Sequence, residues 1–226
     1  DSDGSTEIPV EIVNYVDTGT IEAWVKVPSI SSSADTTIYV WYGAAAETMP
    51  AADSTYGSQA VWSDAESVWH LSDVNDSAAY GNNGTAYGGV PVGSASGVAG
   101  AATAFDGVDD YIKFSSVRYL DYDFTISCWV NATPGTYYYF STYSGNAGER
   151  IILLGDHVRT TFRAGYAMVS VDHSAVYNWK YITVTRSSVD AVLNFYVNGA
   201  YVGTGDGVTT GQCVTRNSVP RIAESF

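Results

Sequence analysis

Along this chain, short runs of alternating or β-branched residues are broken every few positions by Gly, Asn, Asp and Ser. No stretch of helical length carries a 3.6-residue apolar period. Near the N-terminus the pattern predicts strands over residues 7–14, 21–27 and 36–42, the last reading TTIYVWY. Residues 44–59 are rich in Ala, Ser and Pro and read as a connector, with a short helix at 53–59. Residues 66–71 (ESVWHL) look strand-like, whereas 72–100 are mostly Gly, Asn, Ser and Ala, the composition of loops and short edge strands. Further strands are predicted at 103–105, 110–114, 124–130, 137–143, 151–154, 159–163, 167–171, 179–186 and 191–197. Asn198-Gly199 is the strongest hairpin signal, because both residues accept the positive φ angles of a type I′ turn; it joins 193–197 to 200–203. Short strands at this spacing predict an all-β fold, an antiparallel β-sandwich.

Composition narrows the picture. With 226 residues, 46% of them apolar and 14% aromatic, the chain can build a sizeable core. Only 15% are charged, against about 25% in an average domain, which excludes disorder driven by charge. The net charge of −14 repels phosphate backbones, so neither nucleic acid nor an anionic membrane surface is an expected partner. No apolar run reaches membrane-spanning length, so membrane insertion is not expected either. The chain starts at Asp1 without a visible signal peptide, as expected of a mature or excised fragment. Cys128 and Cys213 lie outside any zinc or redox spacing. They are candidates for one long-range disulfide or for two separately buried thiols. Sequons stand at Asn75, Asn83 and Asn131.

From Val68 onward the residues resemble a known family. V-W-H-L at 68–71, Y-G-N-N-G-T at 80–85, A-F-D-G-V-D-D-Y-I at 104–112 and F-T-I-S-C-W-V at 124–130 are similar to the laminin-G-like, concanavalin A-like jelly rolls. W-K-Y-I-T-V-T-R at 179–186 and N-F-Y-V-N-G-A-Y-V-G at 194–203 continue the match in the family's order. The resemblance implies a jelly-roll sandwich over residues 61–226. Residues 1–60 resemble the C-terminal part of a small β module found ahead of such domains in prokaryotic surface proteins, so a domain boundary is expected near residue 60. A family member would carry a further strand after 219–224, so the sandwich is expected either to continue in a longer protein or to take a strand from a partner.

Chemistry is sparse. The glucanase branch of such folds carries a Glu-x-Asp-x-Glu run, which is absent here, and the seven glutamates place no two on one strand face of the jelly-roll half. His70, His157 and His173 lack metal-ligand spacing, and Asp172-His173-Ser174 are sequence neighbours that point apart and cannot relay a proton. An enzyme is therefore not expected. Ca²⁺, which takes six to eight loop oxygens, is the expected cofactor. Its candidate ligands are Asp73, Asn75 and Asp76 in one loop and Asp106, Asp109 and Asp110 around Gly107 in another. The resemblance supports this, since related domains often hold calcium at the rim of the sandwich; turn capping by the same aspartates is the alternative. Sugar rings stack on aromatic faces. Tyr137, Tyr138, Tyr139 and Tyr143 are the candidate ligand-binding residues, with Tyr166, Tyr177 and Tyr201 as additions, while Trp69, Trp129 and Trp179 are expected in the core. The expected function is a secreted or cell-surface binding module that recognises a glycan or surface polymer. The alternatives are a subunit or spacer of a surface filament, joined to copies of itself or neighbouring subunits through strand contacts, and an accessory domain of a glycan-degrading enzyme.

Overall fold

The computed structural model describes residues 6–15, 19–43, 48–115, 123–131, 136–141, 150–154, 157–162, 167–172, 178–187, 189, 192–205 and 221–222; for the strands within 136–172 it describes backbone and pairing. The chain divides into two compact units, Asp1–Asn83 with Gly93–Ala102, and Gly84–Val92 with Thr103–Phe226.

In the first unit, β1 (Val10–Tyr15) pairs antiparallel with β2 (Ile21–Val25), with a bulge between Ile12 and Asn14. Glu11 and Trp24 are register partners there, and a polar cluster forms around them. Glu11 is buried, and its Oε2 accepts a hydrogen bond from Trp62 Nε1 and lies 3.1 Å from His70 Nε2. The Trp24 ring lies 5.4 Å from Trp62 and stacks 6.1 Å from His70. One carboxylate thus ties β1 to two segments more than fifty residues away. Burial raises the Glu11 pKa, but hydrogen bonds from His70, Ser77 and Trp62 and the charge of His70 outweigh it and hold the carboxyl below its ordinary value. Trp62 C-caps α1 (Ser58–Val61), a single turn; the helix expected over 53–59 is displaced because 51–57 form successive turns, Ser54 N–H donating to Ala51 O and Gly57 N–H to Ser54 O.

Two strand expectations fail in this unit. Residues 66–71 are held by a loop rather than a sheet: Val68 N–H donates to Asp76 Oδ1 at 2.8 Å, Ser77 N–H donates to Val68 O, and Trp69 Nε1 donates to Asn82 O. Residues 36–42 join no sheet among the described residues, and Val40 and Trp41 are exposed. β-propensity favours an extended backbone, but a strand also needs a neighbouring edge.

The second unit is the sandwich. β3 (Gly84–Tyr87) is one of the two edge strands of its larger sheet among the described residues. The two-residue strands β4 (Ala95–Ser96) and β5 (Ala101–Ala102) pair in the first unit, where Gly100 N–H donates to Glu22 Oε1 at 2.8 Å. The remaining strands are β6 (Tyr111–Phe114), β7 (Phe124–Val130), β8 (Thr136–Ser141), β9 (Arg150–Leu154), β10 (His157–Phe162), β11 (Ala167–Asp172), β12 (Lys180–Ser187), β13 (Val192–Val197), β14 (Ala200–Gly205) and β15 (Arg221–Ile222). The described residues form a seven-stranded sheet, β11-β10-β9-β8-β15-β6-β3, and a four-stranded sheet, β14-β13-β12-β7. The expected strand at 103–105 is absent, because the loop after it turns back on itself through Asp106 and Asp110. β15 sits between β6 and β8, a long-range pairing that closes the larger sheet.

Alternation explains the core. Ile112 and Phe114 of β6, Val130 of β7, Ile182 and Val184 of β12, and Leu193 and Phe195 of β13 are buried, each contributing about 1.5–3 kcal/mol of apolar transfer. The β13–β14 hairpin turns at Asn198 (φ 51°) and Gly199 (φ 78°), the turn the sequence predicts. Asn198 also binds back to β12: Tyr181 N–H donates to its Oδ1 at 2.9 Å, and its own N–H donates to Tyr181 O at 2.7 Å.

Candidate functional site

Of the two acidic loops, the one before β6 gathers its carboxylates. Oxygen atoms of Asp106, Asp109 and Asp110 lie within 4.8 Å of one another. Asp106 Oδ1 accepts the Val108 N–H at 2.8 Å and the Asp109 and Asp110 N–H groups at 3.4 Å, and Asp110, which is buried, accepts the Asp106 N–H at 3.0 Å. The bond from Val108 above all, joined by those from Asp109 and Asp110, holds the Asp106 carboxyl below its ordinary pKa against the opposing effect of desolvation. Gly88 permits this loop to close: with φ at +79°, a Cβ there would stand 2.3 Å from Asp109 O. The geometry is therefore an Asx-type turn, and among the described residues these bonds use neither Asp106 Oδ2, Asp110 Oδ1 nor the Asp109 carboxylate.

The other loop does not converge in that way. Asp73 accepts from the Asn75 main-chain and side-chain N–H groups at 2.8 and 2.7 Å. Asp76 spends both oxygens on main-chain donors, Val68 and Ala78 on Oδ1 and Asn82 on Oδ2. Its carboxylate is the organising centre of the 66–83 loops.

Tyr137, Tyr138 and Tyr139 lie on β8, where the register runs Tyr137↔Leu153 and Tyr138↔Ile152 and then shifts before Phe140↔Ile151. Tyr139 occupies that bulge, so the simple alternation expected along this run is interrupted. Tyr143, Tyr166, Tyr177 and Cys213 lie outside the described residues. Cys128 is a free cysteine at an inward position of β7, and burial pushes its thiol up to about 12.

A different set of aromatic residues comes together on the outer face of the four-stranded sheet. On β7, Phe124, Ile126, Cys128 and Val130 turn inward, which leaves Thr125, Ser127 and Trp129 outward. On β12 the outward set is Tyr181, Thr183, Thr185 and Ser187; on β13 it is Val192, Asn194 and Tyr196. The register aligns them into rows: Trp129 opposite Tyr181, Ser127 opposite Thr183 opposite Tyr196 opposite Tyr201, and Thr125 opposite Thr185 opposite Asn194 opposite Thr204. None of these positions is charged, in a chain with 34 Asp, Glu, Lys and Arg among its 226 residues (24 acidic, 10 basic).

Side-chain contacts join these residues into two neighbouring clusters on this face. The Trp129 and Tyr181 rings lie 5.1 Å apart, and those of Tyr196 and Tyr201 lie 5.7 Å apart edge to face. Tyr181 donates its hydroxyl to Ser127 Oγ at 2.8 Å. The hydroxyls of Tyr201 and Thr204 are hydrogen-bonded, and Thr204 in turn donates to Asn194 Oδ1 at 2.9 Å. Trp129 is 46% exposed and Tyr201 57%. The expectation that Trp129 belongs to the core is thus corrected: its parity on β7 is opposite to that of the buried Val130. Alternation within F-T-I-S-C-W-V was the signal for this, because Ile126 and Val130 share the face that Trp129 does not.

A family model described as the concanavalin A-like lectin/glucanases superfamily matches residues 106–225, just over half of the chain. No curated protein matches the sequence. Among solved structures, a botulinum neurotoxin serotype D binding domain is similar over 67% of this chain and 40% of its own length, at 13% identity and a TM-score of 0.50. A crystal structure of an HCR/D point mutant aligns over the same shares at 12% identity and a TM-score of 0.53. A structure titled for the dependence of botulinum neurotoxin type C cell entry on two ganglioside molecules covers the same shares at 15% identity and a TM-score of 0.48. The chain spans about two-fifths of the length of these structures. At such identities the likeness concerns the fold.

Proposed function

The chain belongs to the concanavalin A-like lectin/glucanases superfamily, and from that membership we propose that it is a non-catalytic binding module that recognises a glycan on the outer face of its four-stranded sheet. The observation that carries this reading is the layer formed by Trp129, Tyr181, Tyr196 and Tyr201 with the hydroxyls of Ser127, Thr183 and Thr204 and the amide of Asn194. Aromatic faces take the C–H patches of sugar rings while hydroxyls and amides take their OH groups. A module of this kind works at a cell surface or in secreted form, alone or as an accessory to a glycan-degrading enzyme. Among the described residues no helix is long and apolar enough to cross a membrane.

A role for Asp106 as a catalytic acid is disfavoured on electrostatic grounds. A glycosidase needs one carboxyl with a raised pKa to protonate the leaving oxygen. Asp106 moves the other way.

The same loop suits a cation. Asp106, Asp109 and Asp110 would hold Ca²⁺ through carboxylate oxygens that lie within 4.8 Å of one another, with loop carbonyls and water completing the six to eight that the ion takes. Bound there, the ion would rigidify the turn that starts β6. Asp73, Asn75 and Asp76 fit less well, because the oxygens of Asp76 are already spent on main-chain N–H groups.

A second reading, a surface-assembly subunit joined to copies of itself by strand contacts, draws on residues 36–42, which are apolar, exposed and outside any described sheet. The experiment that tests the main reading is a glycan-array assay on the folded chain, run with calcium and with EDTA, beside Trp129→Ala. Binding that Trp129→Ala removes supports the module; silence from a folded sample sinks it.

A further inference from the structure

The outer face of the four-stranded sheet also carries information about which glycans fit it. Resting on the reading above, we infer that its ligand is a neutral, extended saccharide chain lying across the strands rather than an acidic glycan or a single terminal sugar.

Charge decides the first part. Carboxylated and sulfated sugars are recognised by Arg and Lys, whose donors pair with the anion. The outward positions of β7, β12 and β13, together with Tyr201 and Thr204 of β14, hold Thr, Ser, Asn, Tyr, Trp and one Val. No cation is among them. Of the two basic residues within these strands, Arg186 is buried on the opposite face, and Lys180, at the start of β12, shares its parity and is the register partner of Val130. The chain as a whole carries −14, so an anionic polymer is repelled on approach and meets no compensating cation among these outward positions. A neutral sugar needs only stacking and hydroxyl exchange, which is what this face offers.

Spacing decides the second part. Trp129 stands on β7 and Tyr201 on β14, at opposite edges of the sheet. Three inter-strand gaps of about 4.8 Å separate them, so the aromatic layer extends over roughly 14 Å. Tyr181 and Tyr196 stand on the two strands between, on neighbouring rows of the register. A single ring covers one aromatic pair, whereas a chain that crosses the strands meets both pairs and the hydroxyls between them.

The test is calorimetric titration of the full chain with neutral linear oligosaccharides of increasing length, with the matching single sugars, and with acidic oligosaccharides of similar length. Trp129→Ala and Tyr201→Ala are measured in parallel, with Trp129→Phe as the conservative variant. The expected result is binding to a neutral chain at least about tenfold tighter than to its monosaccharide. That binding is insensitive to added salt, weakened by both alanine variants and retained by Trp129→Phe. Binding confined to acidic chains, or to single sugars with no gain in length, overturns this inference and leaves glycan recognition standing. No binding to any saccharide by a folded sample overturns the underlying reading as well. Sedimentation of the same samples adds one more outcome: a dimer that Trp129→Ala dissociates gives the face to a second copy and overturns the inference.

Discussion

Trp129 and Tyr181 are register partners on β7 and β12, and their rings meet 5.1 Å apart on the solvent side of the sheet. One step along β7, Val130 is buried in the core. The pair therefore contributes to surface chemistry more than to stability. Trp129→Ala is expected to cost about 1 kcal/mol, the worth of one aromatic contact. Phe195→Ala, at 1% exposure, is expected to cost about 3–5 kcal/mol. Urea denaturation of the two variants checks this; equal costs would return the indole to the core.

Glu11 makes the first unit acid-sensitive. Its carboxyl is held below the ordinary value, so the folded state binds fewer protons than the unfolded state near that pKa. The stability this contributes is present above the unfolded value of about 4.3 and is lost as pH falls through the folded value. Glu11→Gln is expected to lower stability at neutral pH by about 1–3 kcal/mol and to flatten the acid limb. Emission from Trp24 and Trp62, which adjoin the carboxylate, reports the transition.

The acidic loop before β6 separates two roles by residue. Asp106 accepts three main-chain N–H groups, so Asp106→Ala is expected to lower the melting temperature with or without calcium. Asp109 accepts none of these bonds. Asp109→Ala should leave the calcium-free melting temperature unchanged while abolishing any rise that calcium produces. Melting curves in calcium and in EDTA read both variants; if wild type shows no calcium shift, the loop is a turn and nothing more.

Cys128 is expected to be chemically silent in the native protein. With its thiol pushed up to about 12, roughly one molecule in ten thousand is thiolate at about pH 8, and the thiolate is the reactive form. Iodoacetamide should leave Cys128 unmodified until denaturant exposes it, as peptide mass mapping would show. Rapid labelling of the folded chain would contradict the inward placement of β7's even-numbered positions.

Much of the sandwich was legible beforehand. Strand positions such as 124–130 and the 198–199 turn follow from alternation and from the backbone freedom of Asn and Gly, which are local properties. The acidic loop before β6 was legible too, since Asp-Gly-x-Asp-Asp concentrates oxygens within one turn. Residues 66–71 and 36–42 show where local pattern stops being sufficient. The first run has its main chain claimed by Asp76 and Asn82, and the second extends with no edge beside it.

The sequence by itself determined the class of the fold, the faces of its strands and the chemistry of its turns, because each depends on neighbours a few positions away. Only the tertiary structure decided which strands lie side by side. That pairing closed the larger sheet through β15, joined Glu11 to Trp62 and His70, and aligned Trp129, Tyr181, Tyr196 and Tyr201 on one uncharged face. Such groupings come from register between segments distant in the chain, where hydrogen bonding and core burial jointly select one alignment.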